Sequence, residues 1–510
     1  MSWLNLRMFV RKKKNPSGIT SIQVIDKSSG KYKLVKTIGS SSDSKEVEKY
    51  YKEGYAWIRN KIGQGELDFS NEVQRSLELL EGIEQITVSG TEFLLGKIFD
   101  EIGFNSIGDD LFRRLVLARL CFPASKLKTT DYLSKYQFFD IDVQQLYRYL
   151  DKLYNVHKPV VQQISYQHTL QILNNSISIV FYDVTTLYFE IDAEDDLRKT
   201  GFSKEGKHQQ PQILLGLLVS VDGYPLAYEI FEGNKFEGHT MLPVIDAFKE
   251  KYNLETLVII ADSGLLSNVN IAELQSKNYQ YILGARIKNE TATIKEKILS
   301  LPLTNGQSEL IEKEEHCRLI ITYSESRAKK DNANREKGLR KLEKQIKKGK
   351  LTKAGLNNRG YNKFLKLEGE LNVTLDESKV KQDKKWDGLK GYLTNTSLSK
   401  EDIIDNYKHL WKIEKAFRIA KTDLKIRPVY HHLQRRIEAH ICIAFAAYKI
   451  YKELERQLIV KEAGLSPEKA IEIAKTIYCI RITTQKTKEV IIKHLYLTDE
   501  QRYLAKLFGF

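Results

Sequence analysis

Two aspartates stand where the sequence otherwise predicts buried strands. Asp183 interrupts the apolar run "SIVFYDVTTLYF", and Asp262 ends the run "LVIIAD". A carboxylate beside a buried strand is costly to desolvate unless it is paired or binds a cation. Taken alone, Asp262 is explained as a cap of the following helix, and Asp183 as a satisfied polar residue of the core. Because open α/β sheets collect ligand sites at strand ends, both are also candidates for a functional site.

A third acid, Glu414, lies in the segment "YKHLWKIEKAFRIAK". Read as one helix, this segment aligns Tyr407, Glu414 and Lys421 along one stripe at intervals of about 10 Å. A surface helix with salt-bridge partners would explain the pattern if it stood alone. Together with Asp183 and Asp262, however, Glu414 would complete a set of hard oxygen ligands for two divalent cations such as Mg²⁺. Such a pair can activate an attacking water and stabilise the leaving oxygen at a phosphodiester.

The composition is that of a folded protein. The sequence lacks the patterns typical of phosphate-loop proteins, zinc proteins, membrane-spanning proteins and secreted proteins. The 510 residues are 42% hydrophobic and 29% charged, and the formal net charge of +15 favours a polyanion such as nucleic acid as partner. The sequence lacks a G-x-x-x-x-G-K-[ST] phosphate loop and zinc-ligand spacing of Cys and His. No apolar run approaches the ~20 residues of a membrane span. The N-terminus lacks the pattern of a secretory signal, and the four separated cysteines fit a reduced cytoplasm.

Positive charge is concentrated in one segment. Between Arg327 and Lys366 there are fifteen Lys or Arg residues against three acids. A thin apolar stripe of Leu339, Leu342 and Ile346 predicts a helix that is exposed on most sides. Such a run is usually a solvated face. Inserted into a sheet domain, it fits better with an element that follows a phosphate backbone.

The element patterns divide the chain into six segments. The order predicted from residue 176 is β-β-β-α-β-α-β, which indicates a mixed sheet flanked by helices. Asp222 and Gly223 predict a tight hairpin between the second and third of these strands. The predicted segments are an α+β head at 1–85 and a helical bundle at 86–173, both possible DNA-binding regions; the sheet domain in two parts at 174–286 and 395–460; a basic insertion at 287–394; and a helical C-terminal tail at 461–510.

The acid motifs "FYDVTTLYFE", "IIADSGLLS" and "YKHLWKIEKAFRIAKTDLKIRPVYHH" resemble those of the DDE transposases of bacterial insertion sequences. The resemblance is to the cut-and-paste branch, whose RNase-H-like domain is interrupted by an insertion before its catalytic Glu. It extends from about Ile179 to Tyr448. It implies an α/β fold with an RNase-H-like mixed sheet. It also implies that Asp183, Asp262 and Glu414 bind two Mg²⁺ ions, with Mn²⁺ as a substitute.

The same resemblance implies DNA-binding residues. Tyr407 and Lys421 match the outer positions of the family signature Tyr-x2-Arg-x3-Glu-x6-Lys, and would contact the transposon end near the cleaved phosphate. The Arg of the signature is replaced by Leu410, so we consider Arg418, further along the helix, as the substitute cation. Lys204, in the polar loop "GFSKEGK", is a further candidate DNA contact.

Other side chains of this region are predicted to be structural. Trp411, Phe417 and Leu424 are expected in the core. His431, His432 and His440 lack the spacing of metal ligands, so we expect them to be solvent-exposed or core residues.

The sequence therefore predicts a transposase that binds the terminal inverted repeats of its element as double-stranded DNA. It would cleave one strand at each end and direct the freed 3′-OH to target DNA, with a hairpin intermediate implied only by the resemblance. We expect a homodimer on DNA, no membrane association, and a cytoplasmic, nucleoid-associated protein. Two alternatives are an RNase-H-like nuclease or resolvase without strand transfer, and a non-catalytic DNA-binding protein.

Overall fold

The computed structural model describes residues 8–61, 76–190, 193–203, 206–265, 267–314, 317–348, 360–368, 372–427, 429–484 and 488–510. The chain forms two compact units. The first comprises Met1–Glu84 and Arg481–Ile492, and the second comprises Gln85–Ile480 and Lys493–Phe510. Each unit is described separately.

The first unit begins with three antiparallel strands and a helix. These are β1 (Met8–Lys14), β2 (Thr20–Asp26), β3 (Lys33–Ser41) and α1 (Ser44–Lys61). Val10, Ile22, Val24 and Ile58 form their common core. The alternation of apolar and polar residues in the strands, followed by a helical period, predicts this order.

Helices follow the strand β4 (Ile83–Val88), as the period of the sequence predicts. They are α2 (Lys97–Ile102), α3 (Asp110–Cys121), α4 (Lys126–Gln137), α5 (Val143–Lys152) and α6 (Lys158–Ile172). The side chains of Asp109, Ser125 and Asp142 accept hydrogen bonds from backbone N–H groups at the starts of α3, α4 and α5. These capping contacts fix where the helices begin.

An eight-stranded mixed sheet lies in the second unit. The elements of this region are β5 (Ile179–Tyr188), β6 (Gln212–Ser220), β7 (Pro225–Glu232), α7 (Met241–Tyr252), β8 (Val258–Ala261), α8 (Asn268–Ser276), β9 (Gln280–Ala285), α9 (Ala292–Ser300), β10 (Ser308–Glu314), β11 (Cys317–Tyr323), α10 (Glu325–Lys347), β12 (Leu365–Glu368), β13 (Asn372–Leu375), α11 (Glu377–Lys384) and β14 (Leu389–Thr394). The order of the strands in the sheet is β10-β11-β14-β9-β8-β5-β6-β7. Parallel pairs join β5 to β8 and β8 to β9, and the other neighbours in the sheet are antiparallel.

The α/β fold class predicted from the sequence is confirmed. Strands β5 to β9, with α7 and α8, have the predicted order β-β-β-α-β-α-β and lie in the sheet as 3-2-1-4-5 when numbered from β5. Every residue of β6 is buried, which is why its sequence reads as a continuous apolar run. Gly223, in the β6-β7 turn, has φ +81° and its N–H donates to the Ser220 carbonyl, as the hairpin signal predicts.

Part of the predicted insertion extends the main sheet. β14 pairs with β9, and β11 and β10 follow outward. The basic helix and its apolar stripe are confirmed: α10 spans Glu325–Lys347, and Leu342 packs with Phe364 and Leu365 in a small separate core. The polar faces of α10 remain exposed.

Over its described residues, the chain continues with four helices, two further strands and a last helix. The elements are α12 (Lys400–Lys408), α13 (Trp411–Thr422), α14 (Gln434–Val460), α15 (Pro467–Ala474), β15 (Tyr478–Thr483), β16 (Val490–Leu495) and α16 (Asp499–Phe508). The tail thus contains strands in addition to the predicted helices, because "YCIRIT" and "VIIKHL" are rich in β-branched residues. Among the described residues, none of the helices has the length and apolar character needed to cross a membrane.

Candidate active site

Asp183 and Asp262 follow paired positions of two neighbouring parallel strands. β5 and β8 pair in register, with Tyr182 opposite Ala261. Asp183 is the next residue of β5, and Asp262 directly follows the last residue of β8. Asp262 is exposed, and Asp183 is partly buried. The two motifs that are remote in sequence therefore meet through strand pairing.

Both aspartates face the same side of the sheet. Phe181 on β5 and Ile260 on β8 belong to one hydrophobic core, while their neighbours on the same strands belong to the core on the opposite face. Side chains two residues apart on a strand share a face. Asp183 therefore points to the side of Phe181. Asp262 reaches the same side, because its carboxylate accepts from Tyr407, which is buried in the core that contains Phe181.

Helix α13 brings Glu414 to that side. Its residues Ile413, Ala416 and Phe417 are buried in the same core as Phe181, and α13 contacts β5. Glu414 lies in the first turn of α13 and is exposed. Glu414 and Asp262 both line a cavity of about 520 Å³.

The segment predicted as one helix is two helices. α12 ends at Lys408 and α13 begins at Trp411, and the backbone N–H of Leu410 donates to the Tyr407 carbonyl in a tighter i→i+3 turn. The prediction that Tyr407 shares one stripe with Glu414 and Lys421 was therefore wrong, while Glu414 and Lys421 do lie seven residues apart on one helix, α13. Tyr407 and Glu414 instead line the same cavity from two separate helices.

Tyr407 is an internal partner of Asp262. Its side chain is 4% exposed, and its hydroxyl donates to Asp262 Oδ1 at 3.3 Å. Burial, followed by the negative charge of Asp262, raises the pKa of Tyr407, so the phenol keeps the proton that it donates. Its ring packs edge-on against Tyr392 at 4.8 Å. This burial favours positioning of Asp262 over the predicted contact with the transposon end.

Two cations of the inserted segment reach the same cavity. Lys390 on β14 and Arg327 on α10 both line it. The Lys390 amine lies 4.4 Å from the centre of the Tyr407 ring. Burial, and then the charge of Arg327, lowers the pKa of Lys390, while the charges of Asp262 and Glu414 oppose this shift. Arg327 begins the basic segment that the sequence predicts to follow a phosphate backbone. Lys390 was not predicted, because strand pairing of β14 with β9 is not visible in the local pattern.

Comparison with known proteins gives one family match. The chain matches the family model described as the transposase DDE domain over residues 175–450, which is more than half of its length. The chain belongs to the DDE transposase family. Members of this family use divalent metal ions in general. The matched segment of the transposase runs from just before β5 into α14, so it includes all three acids.

Among solved structures, the transposase is similar to a cryo-EM structure of the piggyBac transposase synaptic complex with hairpin DNA. The identity is 8%, the alignment covers 85% of this chain and 79% of that chain, and the TM-score is 0.38. The comparison with curated proteins found no match.

The remaining predicted DNA contacts have different surroundings in the transposase. Arg418 is exposed on α13, one turn after Glu414. Lys421 is partly buried in the last turn of α13. Lys204 lies outside the described residues. Arg418 and Lys421 therefore remain predictions at defined positions, while Lys204 remains a prediction from sequence alone.

The structural predictions for this region are correct except at one aromatic residue. Phe417 and Leu424 are buried as predicted, but Trp411 is 52% exposed and lines the cavity with Glu414. Trp411 begins α13 and lies on a different side of the helix from Phe417, so it does not reach the sheet. His431 and His440 are buried, and His432 is exposed, in line with the structural interpretation of all three.

The acids of the transposase fit a divalent cation in their chemistry. Their donors are carboxylate oxygens, which hard cations prefer, and they occupy one side of one sheet. Within the described ranges, no three His, Cys, Asp or Glu side chains are close enough to hold a metal ion. The Asp183 carboxylate accepts a hydrogen bond from the Val184 N–H at 2.7 Å, and Asp262 accepts one from Tyr407. Shared ligation therefore requires rotation of these side chains.

Proposed function

We propose that this transposase cleaves DNA at the terminal inverted repeats of its own mobile element and joins the freed ends to target DNA. In this proposal Asp183, Asp262 and Glu414 are the metal ligands. The observation that carries it is the convergence of two in-register strands and one packed helix, which gives three acids remote in sequence a common side of the sheet. Membership of the DDE transposase family supports the reaction class.

A pair of Mg²⁺ ions, or Mn²⁺ in their place, would polarise the attacking oxygen and stabilise charge on the leaving oxygen. Residues around the metal ligands would position the ligands and bind the DNA. Tyr407 holds Asp262 through its hydroxyl. Trp411, exposed beside Glu414, offers a ring face on which an unpaired base can stack. Arg418 and Lys421 supply positive charge along α13 for the DNA backbone.

The basic helix α10 would follow the phosphate backbone of the transposon end. Most of its charged residues are exposed, while Arg335 and part of its apolar stripe are buried. Because two ends must be paired before they are joined, we propose a homodimer on DNA. Such a complex would be associated with the nucleoid.

The test is an end-cleavage assay with the three acids replaced by isosteric amides. The substrate is labelled DNA carrying the inverted repeats that flank the coding region, incubated with Mg²⁺ and a target plasmid. We expect Asp183→Asn, Asp262→Asn and Glu414→Gln each to lower cleavage on the order of 1000-fold, because each removes a charge that holds the metal centre. Binding to the same DNA in EDTA should be unchanged.

The matched control is Asp405→Asn on α12, whose carboxylate is 69% exposed. It should cleave as wild type does. Wild-type cleavage by any of the three acid variants would contradict the proposal. Nicking without joining to the plasmid would favour a nuclease or resolvase, and binding without any nicking would favour a non-catalytic DNA-binding protein.

A further inference from the structure

Two cations converge on the acids from elements that lie outside the acid motifs. Lys390 lies two residues before Tyr392 on β14, and Tyr392 belongs to the same core as Phe181 and Ile260. By strand alternation, Lys390 faces the side of the sheet that carries the acids. Arg327 lies in the first turn of α10 and lines the same cavity.

Strand pairing and ring packing hold Lys390. β14 is hydrogen-bonded between β9 and β11, with Gly391 opposite Ala285. The amine lies over the rings of Tyr407 and Tyr392, at 4.4 and 5.1 Å from their centres. The sheet fixes the backbone of Lys390, and the two rings lie beside its amine.

A buried ion pair holds the helix that carries Arg327. Arg335 on α10 donates to both carboxylate oxygens of Asp387, each at 2.5 Å. Asp387 immediately precedes the turn into β14, at Gly388. The Ser324 hydroxyl caps the N-terminus of α10 by accepting from the Arg327 N–H. The ion pair therefore links α10, which carries Arg327, to the segment before β14, which carries Lys390.

We propose that Lys390, assisted by Arg327, binds the scissile phosphate of the DNA end. A phosphodiester carries negative charge that two converging cations attract, and fixed donors near the reacting group stabilise charge that develops during cleavage. The cavity of about 520 Å³ is of a size that holds ligand groups. This inference rests on the proposed function, since it assigns a substrate contact at the same site.

A second interpretation of Lys390 is that of a counter-ion for Asp262 and Glu414. In that case the amine and the metal would compete for the same carboxylates. Replacement of Lys390 by Met would then increase the affinity for Mn²⁺. A phosphate contact instead predicts unchanged metal affinity and weaker binding of the scissile phosphate.

The experiment compares two DNA ends in EDTA by fluorescence anisotropy. One carries a normal phosphodiester at the cleavage position, and the other carries a neutral methylphosphonate there. We expect wild type to bind the neutral probe about tenfold more weakly. Lys390→Met, which keeps the aliphatic stem, should bind both probes equally weakly and cleave normal DNA about 100-fold more slowly with Mg²⁺. Lys390→Arg should retain discrimination between the probes.

Arg327→Gln provides a second variant, because the Arg327 side chain is 46% exposed and its replacement spares the core. We expect Arg327→Gln to discriminate between the charged and the neutral probe less strongly than wild type, without losing the discrimination completely. The matched control is Lys277→Met, whose lysine pairs with Asp246 on the surface and should behave as wild type.

The inference alone is overturned if Asp262→Asn is inactive while Lys390→Met cleaves and discriminates as wild type does. It is also overturned if Lys390→Met binds Mn²⁺ more tightly and still discriminates between the probes. If wild type cleaves neither probe under any of these conditions, the proposed function fails, and this inference fails with it.

Discussion

The Tyr407 hydroxyl occupies the space that a side chain at position 284 would need. A Cβ built on Gly284 would lie 2.4 Å from this oxygen and 3.0 Å from the Ser263 backbone nitrogen. We therefore expect Gly284→Ala to displace Tyr407 and the Asp262 carboxylate that it holds. End cleavage should fall by at least tenfold, the size of one lost hydrogen bond at a charged group.

A double variant separates this steric effect from a general loss of stability. Tyr407→Phe removes the oxygen that would clash, so cleavage by Gly284→Ala with Tyr407→Phe should match Tyr407→Phe alone. Thermal unfolding of each variant serves as the control. Additive losses of activity would show that Gly284 acts through something other than Tyr407.

At the residue scale, two of the candidate acids stand out in the sequence because they break apolar patterns. Asp183 and Asp262 interrupt runs that otherwise predict buried strands, and this exception is local information. Lys390 carries no such signal, because a lysine in a segment rich in basic residues looks like solvated surface. Only the pairing of β14 with β9 distinguishes it. Trp411 was wrongly predicted to lie in the core. The side of α13 that faces the core is decided by packing, which the local sequence does not show.

At the scale of elements, the Arg335 ion pair ties α10 to the turn before β14. Arg335 and Asp387 are nearly buried, and Asp383 adds a second carboxylate 3.7 Å away. Removal of one partner of a buried pair costs about 3 to 5 kcal/mol. We expect Arg335→Met to increase amide hydrogen exchange along α10 strongly, with end cleavage reduced because Arg327 loses its support.

The control for this prediction lies on the same helix. Arg340 pairs with Glu336 at the surface, where both side chains are more than half exposed. Such pairs contribute about 0 to 1 kcal/mol. Arg340→Met should therefore leave the exchange of α10 unchanged. Equal exchange in the Arg335 and Arg340 variants would contradict a tethering role for Asp387.

Most elements could be predicted, and their junctions could not. The strand and helix patterns from β5 to β9 and the Asp222-Gly223 turn predicted the central strands, because residue patterns and turn chemistry are local information. The break at His409 and Leu410 has neither Gly nor Pro to mark it. That break is a consequence of packing α12 and α13 against different parts of the sheet domain.

At the scale of the whole molecule, buried histidines predict loss of stability in acid. Burial, with the positive charge of Lys126 next, lowers the pKa of His431 to about 3. Burial, with the charge of Lys449 next, lowers the pKa of His168 to about 4. In the unfolded chain both titrate near 6.5. Below that pH the unfolded state binds more protons, so the free energy of unfolding falls as pH falls.

The expected slope is roughly 1.4 kcal/mol per pH unit for each of these histidines, between their unfolded and folded pKa values. Urea unfolding at pH 7.5 and at pH 5.5 measures it. His431→Gln should reduce the slope of the free energy of unfolding against pH by roughly 1.4 kcal/mol per pH unit, the contribution of one histidine. His409→Gln, at a partly exposed position, is the control. Identical pH dependence in wild type and His431→Gln would contradict the burial of a neutral imidazole.

The most direct test of the account locates the metal in the protein. Ferrous iron bound in place of Mg²⁺, with ascorbate and peroxide, cuts the backbone next to its ligands. We predict cuts near Asp183, Asp262 and Glu414 together, and loss of all three cuts in each of Asp183→Asn, Asp262→Asn and Glu414→Gln. Cuts at two of these positions that persist when the third acid is replaced would show separate sites and contradict a shared centre.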